Sequence, residues 1–300
     1  MLLYSYASAL NVQEIQKNFR NNVVLKPIYS KYYSGYLDYV CDNNDSECYS
    51  QELNKLINDQ GTLRDINIKD SLEQRETKFI LDDAYWEKAQ VHLNTIRDKL
   101  VSSQFLSLVD LSNQVLILIL WDNENKIFYP IGFDFISSGN MEKEIQVING
   151  DDHYLKTPSG IFSIQSGWRS KGEILEDNIT MPYGQKGRFV FYFGKQKSIR
   201  YNTLDENGSK TLDKNRWKLI KGELEFAIHA HRSSVSLGEP HSHGCIRMSN
   251  ELNEFLDNYL VFFKYFYNKN NEWQLQYAKP PSEPKYYDLA GKYILIIDKL

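Results

Sequence analysis

Leu237-Gly-Glu-Pro-His-Ser-His-Gly-Cys-Ile-Arg-Met-Ser-Asn250 sets one of the chain's three cysteines behind a His-Gly pair and two residues ahead of an arginine. Nine residues upstream of this stretch begins Ile228-His-Ala-His231, so four of the six histidines fall between positions 229 and 243. A cysteine reacts as its thiolate, which a neighbouring base or positive charge makes accessible near neutral pH. A glycine directly before it lets backbone N–H groups approach a reacting carbonyl. The pattern predicts Cys245 as a nucleophile and His229, at the end of a strand over 224–229, as its general base. His243 is expected to support the site by hydrogen bonding, and the N–H groups of Gly244 and Cys245 to form an oxyanion hole. Arg247 suits a two-pronged grip on a substrate carboxylate. Ser242 and Tyr183 are placed with it on the substrate side. The bland alternatives are a buried structural cysteine, core histidines and an arginine in a structural ion pair.

Outward from this stretch, three further segments stand in a fixed order: Val109-Asp-Leu-Ser-Asn-Gln114, Thr157-Pro-Ser-Gly-Ile-Phe162 and Met181-Pro-Tyr-Gly184. Together with Ser-His-Gly-Cys-Ile-Arg-Met-x-Asn and the upstream Ile-His, they resemble the L,D-transpeptidase (YkuD-type) catalytic domain over residues 104 to 299. The resemblance implies an α+β protein, with a mainly-β catalytic domain at 104–300 behind a helical N-terminal region at 1–103. It implies acyl transfer on peptidoglycan stem peptides through a Cys245 thioester, with release of terminal D-alanine, and no cofactor. It also implies that the carbonyl of the residue after His229 orients the imidazole. That residue is usually Gly in the family and is Ala230 here, which adds a methyl close to the site. An amine acceptor makes the protein an L,D-transpeptidase, whereas water makes it an L,D-carboxypeptidase. Readings of another class are a non-catalytic cell-wall binding protein and a zinc protein using the H-x-H and H-x-H-x-C pattern, although zinc explains neither Gly244 nor Arg247.

The remaining sequence bounds these expectations. A hydrophobic fraction of 42% and a charged fraction of 25% belong to a globular chain able to bury a core. A net charge of −4 disfavours nucleic acid as the main partner. The 21 Tyr and 15 Phe suit either polymer handling or an aromatic-rich core. No apolar run is long enough for a transmembrane helix, the longest being Val115 to Trp121. Ala7-Ser-Ala9 resembles the end of a truncated export signal, or belongs to an ordinary N-terminal tail. A Cys41–Cys48 bridge would close a small loop, contribute about 2–3 kcal/mol and imply an oxidising compartment; two unpaired thiols are the alternative. A periplasmic or cell-wall location follows from the resemblance, and no oligomeric state is assigned.

Apolar spacing of three and four predicts helices over Glu52–Ile57 and Ala84–Leu100, the second capped by Asp82 or Asp83, with turns at Gly61-Thr62 and Asn67–Asp70. Strands are expected at Phe105–Leu111, Val115–Leu120, Phe128–Ile136, Arg188–Phe193, Leu224–His229 and Lys292–Ile297, with Pro130 marking an edge. A helix capped at Ser249-Asn250 runs to Leu260. Insertions are expected at about 141–156, 195–217 and 263–285.

Overall fold

The computed structural model describes residues 11–300 except 43–44, 60–64, 141–155, 203–206, 210, 212, 232–236, 268–272, 275–277 and 282–283. The expected export-signal end, the turn at Gly61-Thr62 and most of the 141–156 insertion lie outside the described residues. A helical segment comes first: α1 (Val12–Phe19), a π-helical turn (Arg20–Leu25), α2 (Lys26–Val40), α3 (Ser46–Asn58), α4 (Ile66–Lys78) and α5 (Asp83–Asn94). Asn11, Asp45, Asp65 and Asp82 each accept a backbone N–H in the first turn of α1, α3, α4 and α5. Asp65 explains why Asn67–Asp70 is helical and not the expected turn. The helix expected to run to Leu100 stops at Asn94, followed by a short 3-10 turn at Arg97–Lys99. Cys41 and Cys48 are disulfide-bonded, tying the end of α2 to the first turn of α3, and Cys245 is a free thiol.

The strands then form two sheets. One has the order β3 (Ile127–Phe135), β2 (Val115–Asp122), β1 (Gln104–Asp110), β9 (Tyr293–Ile297) and β4 (Gly160–Ser163). The other has the order β5 (Ser166–Arg169), β6 (Phe189–Asn202), β7 (Lys218–Ala230) and β8 (Ile246–Met248). The unbroken apolar run of β2 is explained by burial on both faces. Leu116, Leu118 and Leu120 join the central core, while Ile117, Ile119 and Trp121 join a second cluster against Ala89 and Leu93 of α5. Pro130 sits on the edge strand β3, where the register with β2 shifts. The first part of the expected insertion at 195–217 is strand: β6 continues to Asn202, paired antiparallel with β7 back to Lys218. Its residues read as an insertion because that half of the hairpin projects from the body, and β7 becomes fully buried only from Phe226 onward.

The helix α6 (Asn250–Asn258), capped by Ser249 as expected, lays Leu252, Phe255 and Leu256 into the central core. The N-terminal segment enters the same core through Ile15, Phe19 and Val23. The Phe19 ring lies over Gly132 of β3 so closely that a Cβ there would stand 2.3 Å from its Cδ1. Arg75 of α4 adds a polar link: Nη1 donates to Asp134 Oδ1 at 2.9 Å and Nη2 to the Phe133 carbonyl. Asp134 in turn accepts from the hydroxyl of Ser249 at 2.7 Å, so the helical segment is joined to the cap of α6.

Candidate functional site

Parallel pairing of β7 with β8 sets Ile228 opposite Ile246, His229 opposite Arg247 and Ala230 opposite Met248. Side chains alternate along a strand, so two sets separate. Ile228, Ala230, Ile246 and Met248 are buried in or toward the core. His229 and Arg247 share the other face with Cys245, which stands one step before β8 and whose sulfur accepts from the Ala227 backbone. The three residues expected to carry chemistry are thus brought together by strand register.

The electrostatics of this face follow from burial. His229 is 5% exposed, and desolvation lowers its pKa to about 4, with the Arg247 and His231 charges acting in the same direction. Its Nδ1 lies 2.8 Å from the Ala230 carbonyl. A carbonyl only accepts, so Nδ1 carries the proton and Nε2 keeps the lone pair. Burial pushes the Cys245 thiol up, opposed by the Ala227 backbone and the Arg247 charge. Both shifts favour the uncharged forms, a thiol at Cys245 and a neutral imidazole at His229.

The turn before Cys245 is laced to the segment that follows β3 through isolated bridges. Arg247 and Ser137 exchange two backbone hydrogen bonds of 2.9 Å, and Ser242 N–H donates to the Ser138 carbonyl at 2.9 Å. Two findings correct the expected roles. Ser242 has no exposed surface; its hydroxyl accepts the Gly244 N–H at 3.0 Å and donates to the Cys245 carbonyl. It braces the turn from inside and is not on the substrate side. For the same reason Gly244 N–H is already spoken for and does not point to an oxyanion.

Thr157, inside the Thr-Pro-Ser-Gly segment, was assigned no role from the sequence. It is 1% exposed, accepts the Gly139 N–H at 2.9 Å and donates its hydroxyl to the Gly244 carbonyl at 2.7 Å. In a trans peptide the carbonyl and the next N–H point oppositely. Pinning Gly244 C=O therefore fixes the direction of Cys245 N–H.

Tyr183 stands over the site, its ring 5.0 Å from the His229 ring and 5.9 Å from Trp168. Burial and the negative charge available at Cys245 raise its pKa. Trp168 and Tyr183 line a cleft of about 250 Å³ together with Pro182 and Lys171. Trp168 carried no sequence signal, because β5 is four residues long. The methyl of Ala230 is buried away from the imidazole and meets Gly184, where an added Cβ would lie 2.5 Å from it. Gly184 also holds φ of +72°, a conformation glycine adopts without strain.

The other histidines occupy separate positions around the turn. His231 donates from Nδ1 to the Pro182 carbonyl at 3.3 Å, His241 pairs with Glu239 at 3.0 Å, and His243 is exposed on the turn. Among the described residues no group of three or more His, Cys, Asp or Glu is placed to hold a metal ion. Arg247, half-buried, donates to the His241 carbonyl at 3.4 Å while its charge reaches Cys245 and His229.

The model of the L,D-transpeptidase catalytic domain (YkuD) matches residues 104–262, just over half of the chain. Among solved structures, an L,D-transpeptidase from Xylanimonas cellulosilytica is 19% identical, over 65% of this chain and 61% of that one, with a TM-score of 0.29. Bd1075 of Bdellovibrio bacteriovorus is 21% identical over 66% and 49%, with a TM-score of 0.32. The helical cell shape determining protein Pgp2 of Campylobacter jejuni is 17% identical over 70% and 55%, with a TM-score of 0.31. The chain spans half to three fifths of the length of these structures. No functionally curated protein matches it.

Proposed function

The chain belongs to the L,D-transpeptidase catalytic-domain family, and from that membership we propose that it is a cysteine acyltransferase acting on peptidoglycan stem peptides. The observation that carries this reading is the shared strand face of Cys245, His229 and Arg247, with the His229 tautomer set by Ala230. His229 Nε2 takes the Cys245 proton as sulfur attacks the carbonyl between the L-centre of a diamino acid and the terminal D-alanine. Cys245 N–H, aimed by Thr157, donates to the developing oxyanion, and protonated His229 returns its proton to the leaving amine of D-alanine. A thioester remains on Cys245. Arg247 grips a substrate carboxylate and Tyr183 walls the acceptor side, with Trp168 beside it.

An amine from a second stem then resolves the thioester to a 3→3 crosslink, the L,D-transpeptidase outcome; water gives a tripeptide. The Cys41–Cys48 bridge supports a periplasmic or cell-wall location, and no helix among the described residues is long and apolar enough to cross a membrane. The test compares wild type with Cys245→Ala on purified disaccharide-tetrapeptide, read by mass spectrometry. Crosslinked dimers from wild type alone are expected. Tripeptide and D-alanine alone would assign a carboxypeptidase, and equal behaviour of the two proteins would refute Cys245 as nucleophile.

A further inference from the structure

The outer half of the β6–β7 hairpin carries a charge unlike that of the rest of the chain. Residues 195–221 hold eight Lys and Arg against three Asp and Glu, whereas the whole chain has a net charge of −4. The cationic excess is local, and it sits on an arm where every β7 residue before Phe226 keeps some exposure.

Side chains directly opposite in an antiparallel pair share a face. From the tip inward, the register sets Tyr201 beside Leu219, Ile199 beside Lys221 and Lys197 beside Glu223. The face therefore runs from apolar to cationic and then to balanced charge, where Lys195 approaches Glu223 at 3.9 Å. Trp217 extends the apolar end. Its ring lies 5.6 Å from that of Tyr201, and its indole N–H donates to the Thr211 carbonyl at 2.9 Å. Arg216-Trp-Lys-Leu-Ile-Lys221 interleaves three cations with three apolar side chains. Arg216, Lys218 and Lys221 are exposed, and Leu219 between them is 56% exposed.

Tyr201, Trp217 and Leu219 belong to none of the buried apolar clusters, and a two-stranded ribbon gains little in water from its own faces. Their chemistry suits a boundary. Tryptophan and tyrosine favour the border between water and an apolar phase. Lysine and arginine lay their stems on apolar surface while the charge stays in water. Lys221 stands one cross-strand pair behind Leu219, about 7 Å, which matches the roughly 5–10 Å to which apolar side chains enter a headgroup layer.

We infer that the tip of this arm docks on an anionic phospholipid surface. Tyr201, Trp217 and Leu219 enter the headgroup layer, and Arg216, Lys218 and Lys221 meet the phosphates. A soluble polyanion would satisfy the cations and leave the apolar residues in water. The inference is independent of the acyl transfer proposed above, and it adds a placement. His229 lies ten residues from Leu219 along β7, so the Cys245 face is held within about 33 Å of the lipid.

The full chain is sedimented with vesicles of phosphatidylglycerol and phosphatidylcholine in equal parts, and with phosphatidylcholine alone, at about 0.1 M salt. Binding to the anionic vesicles only is expected. Lys218→Glu/Lys221→Glu should weaken it at least about 25-fold, from about fivefold (about 1 kcal/mol) for each cation. Leu219→Ser should weaken it about fivefold, since half of the burial of a leucine is still to be gained. Lipids brominated on their chains should quench tryptophan fluorescence in wild type, and Trp217→Phe should bind without that quenching. Circular dichroism checks that each variant is folded. Failure to bind anionic vesicles, equal binding to both kinds of vesicle, full binding by the folded double variant, or quenching that survives Trp217→Phe overturns the arm as the docking element. Binding to soluble polyphosphate with no quenching by vesicles assigns the cations to a free phosphate polymer and overturns the lipid surface.

Discussion

Replacing Thr157 by valine keeps the shape of the side chain and removes only its hydroxyl. Two hydrogen bonds go with it, the 2.9 Å bond from Gly139 N–H and the 2.7 Å bond to the Gly244 carbonyl. The Gly244 carbonyl is left buried without this partner, at a cost of about 1–3 kcal/mol, and the half-exposed Gly139 N–H adds about 1 kcal/mol. A total loss of about 2–4 kcal/mol is expected in urea unfolding. Beyond stability, the Gly244–Cys245 peptide is freed to rotate, so its N–H no longer points at one place. Loss of an oxyanion donor costs on the order of 100-fold in kcat in other enzymes; misdirection of a retained donor should cost about 10-fold or more, with KM little changed. The assay is D-alanine release at a temperature where circular dichroism shows the variant folded, with Thr157→Ser as the control that restores the hydroxyl. Unchanged kcat in folded Thr157→Val would refute the link between this hydroxyl and catalysis. A stability loss below about 0.5 kcal/mol would refute the pinning itself.

The pKa of about 4 at His229 places the acid limb of kcat/KM near pH 4, not near 6.5, and a limb at 6.5 in the wild type would contradict its burial. The unfolded chain binds a proton that folded His229 refuses, so this contribution is complete above pH 6.5 and is lost as pH falls toward 4. On the order of 3 kcal/mol is at stake, measurable as the urea midpoint against pH and reduced in His229→Gln. Gly184→Ala should cost about 2 kcal/mol through its positive φ and its clash with Ala230, and adding Ala230→Gly should recover part of that in thermal melts. Asp257 is buried against the guanidinium of Arg169. Arg169→Met should therefore destabilise by about 3–5 kcal/mol and Arg169→Met/Asp257→Leu by clearly less, as denaturant titration will show.

Where local rules governed, the sequence was a good guide. The apolar run of β2, the Ser249 cap of α6 and the edge proline of β3 each follow from a few consecutive residues. The cluster around Cys245 was visible because its members lie within nineteen positions, on or beside two paired strands. What escaped notice depends on distant partners. Thr157 meets Gly244 across 87 residues, and no spacing rule announces such a contact. Ser242 looked like a surface hydroxyl in a polar turn, yet the turn folds it inward onto Gly244 N–H. The outer half of the β6–β7 hairpin hid behind its lysines and glutamates, since a strand pair in water need not carry an apolar face.

The ring of Phe19 over Gly132 bears on how this architecture can be inherited. The boundary of the family match runs at Gln104, but the central core does not respect it, for Ile15, Phe19 and Val23 fill part of it from the other side. Gene fragments cut at that boundary would encode strands with an aromatic-sized opening between β3 and α6. Recombination with a foreign leading segment would have to supply a matching ring at that one spot, and homologues with any larger residue in place of Gly132 would have to dispense with it. The two halves are therefore expected to diversify in step, substitution answering substitution across the Phe19–Gly132 contact.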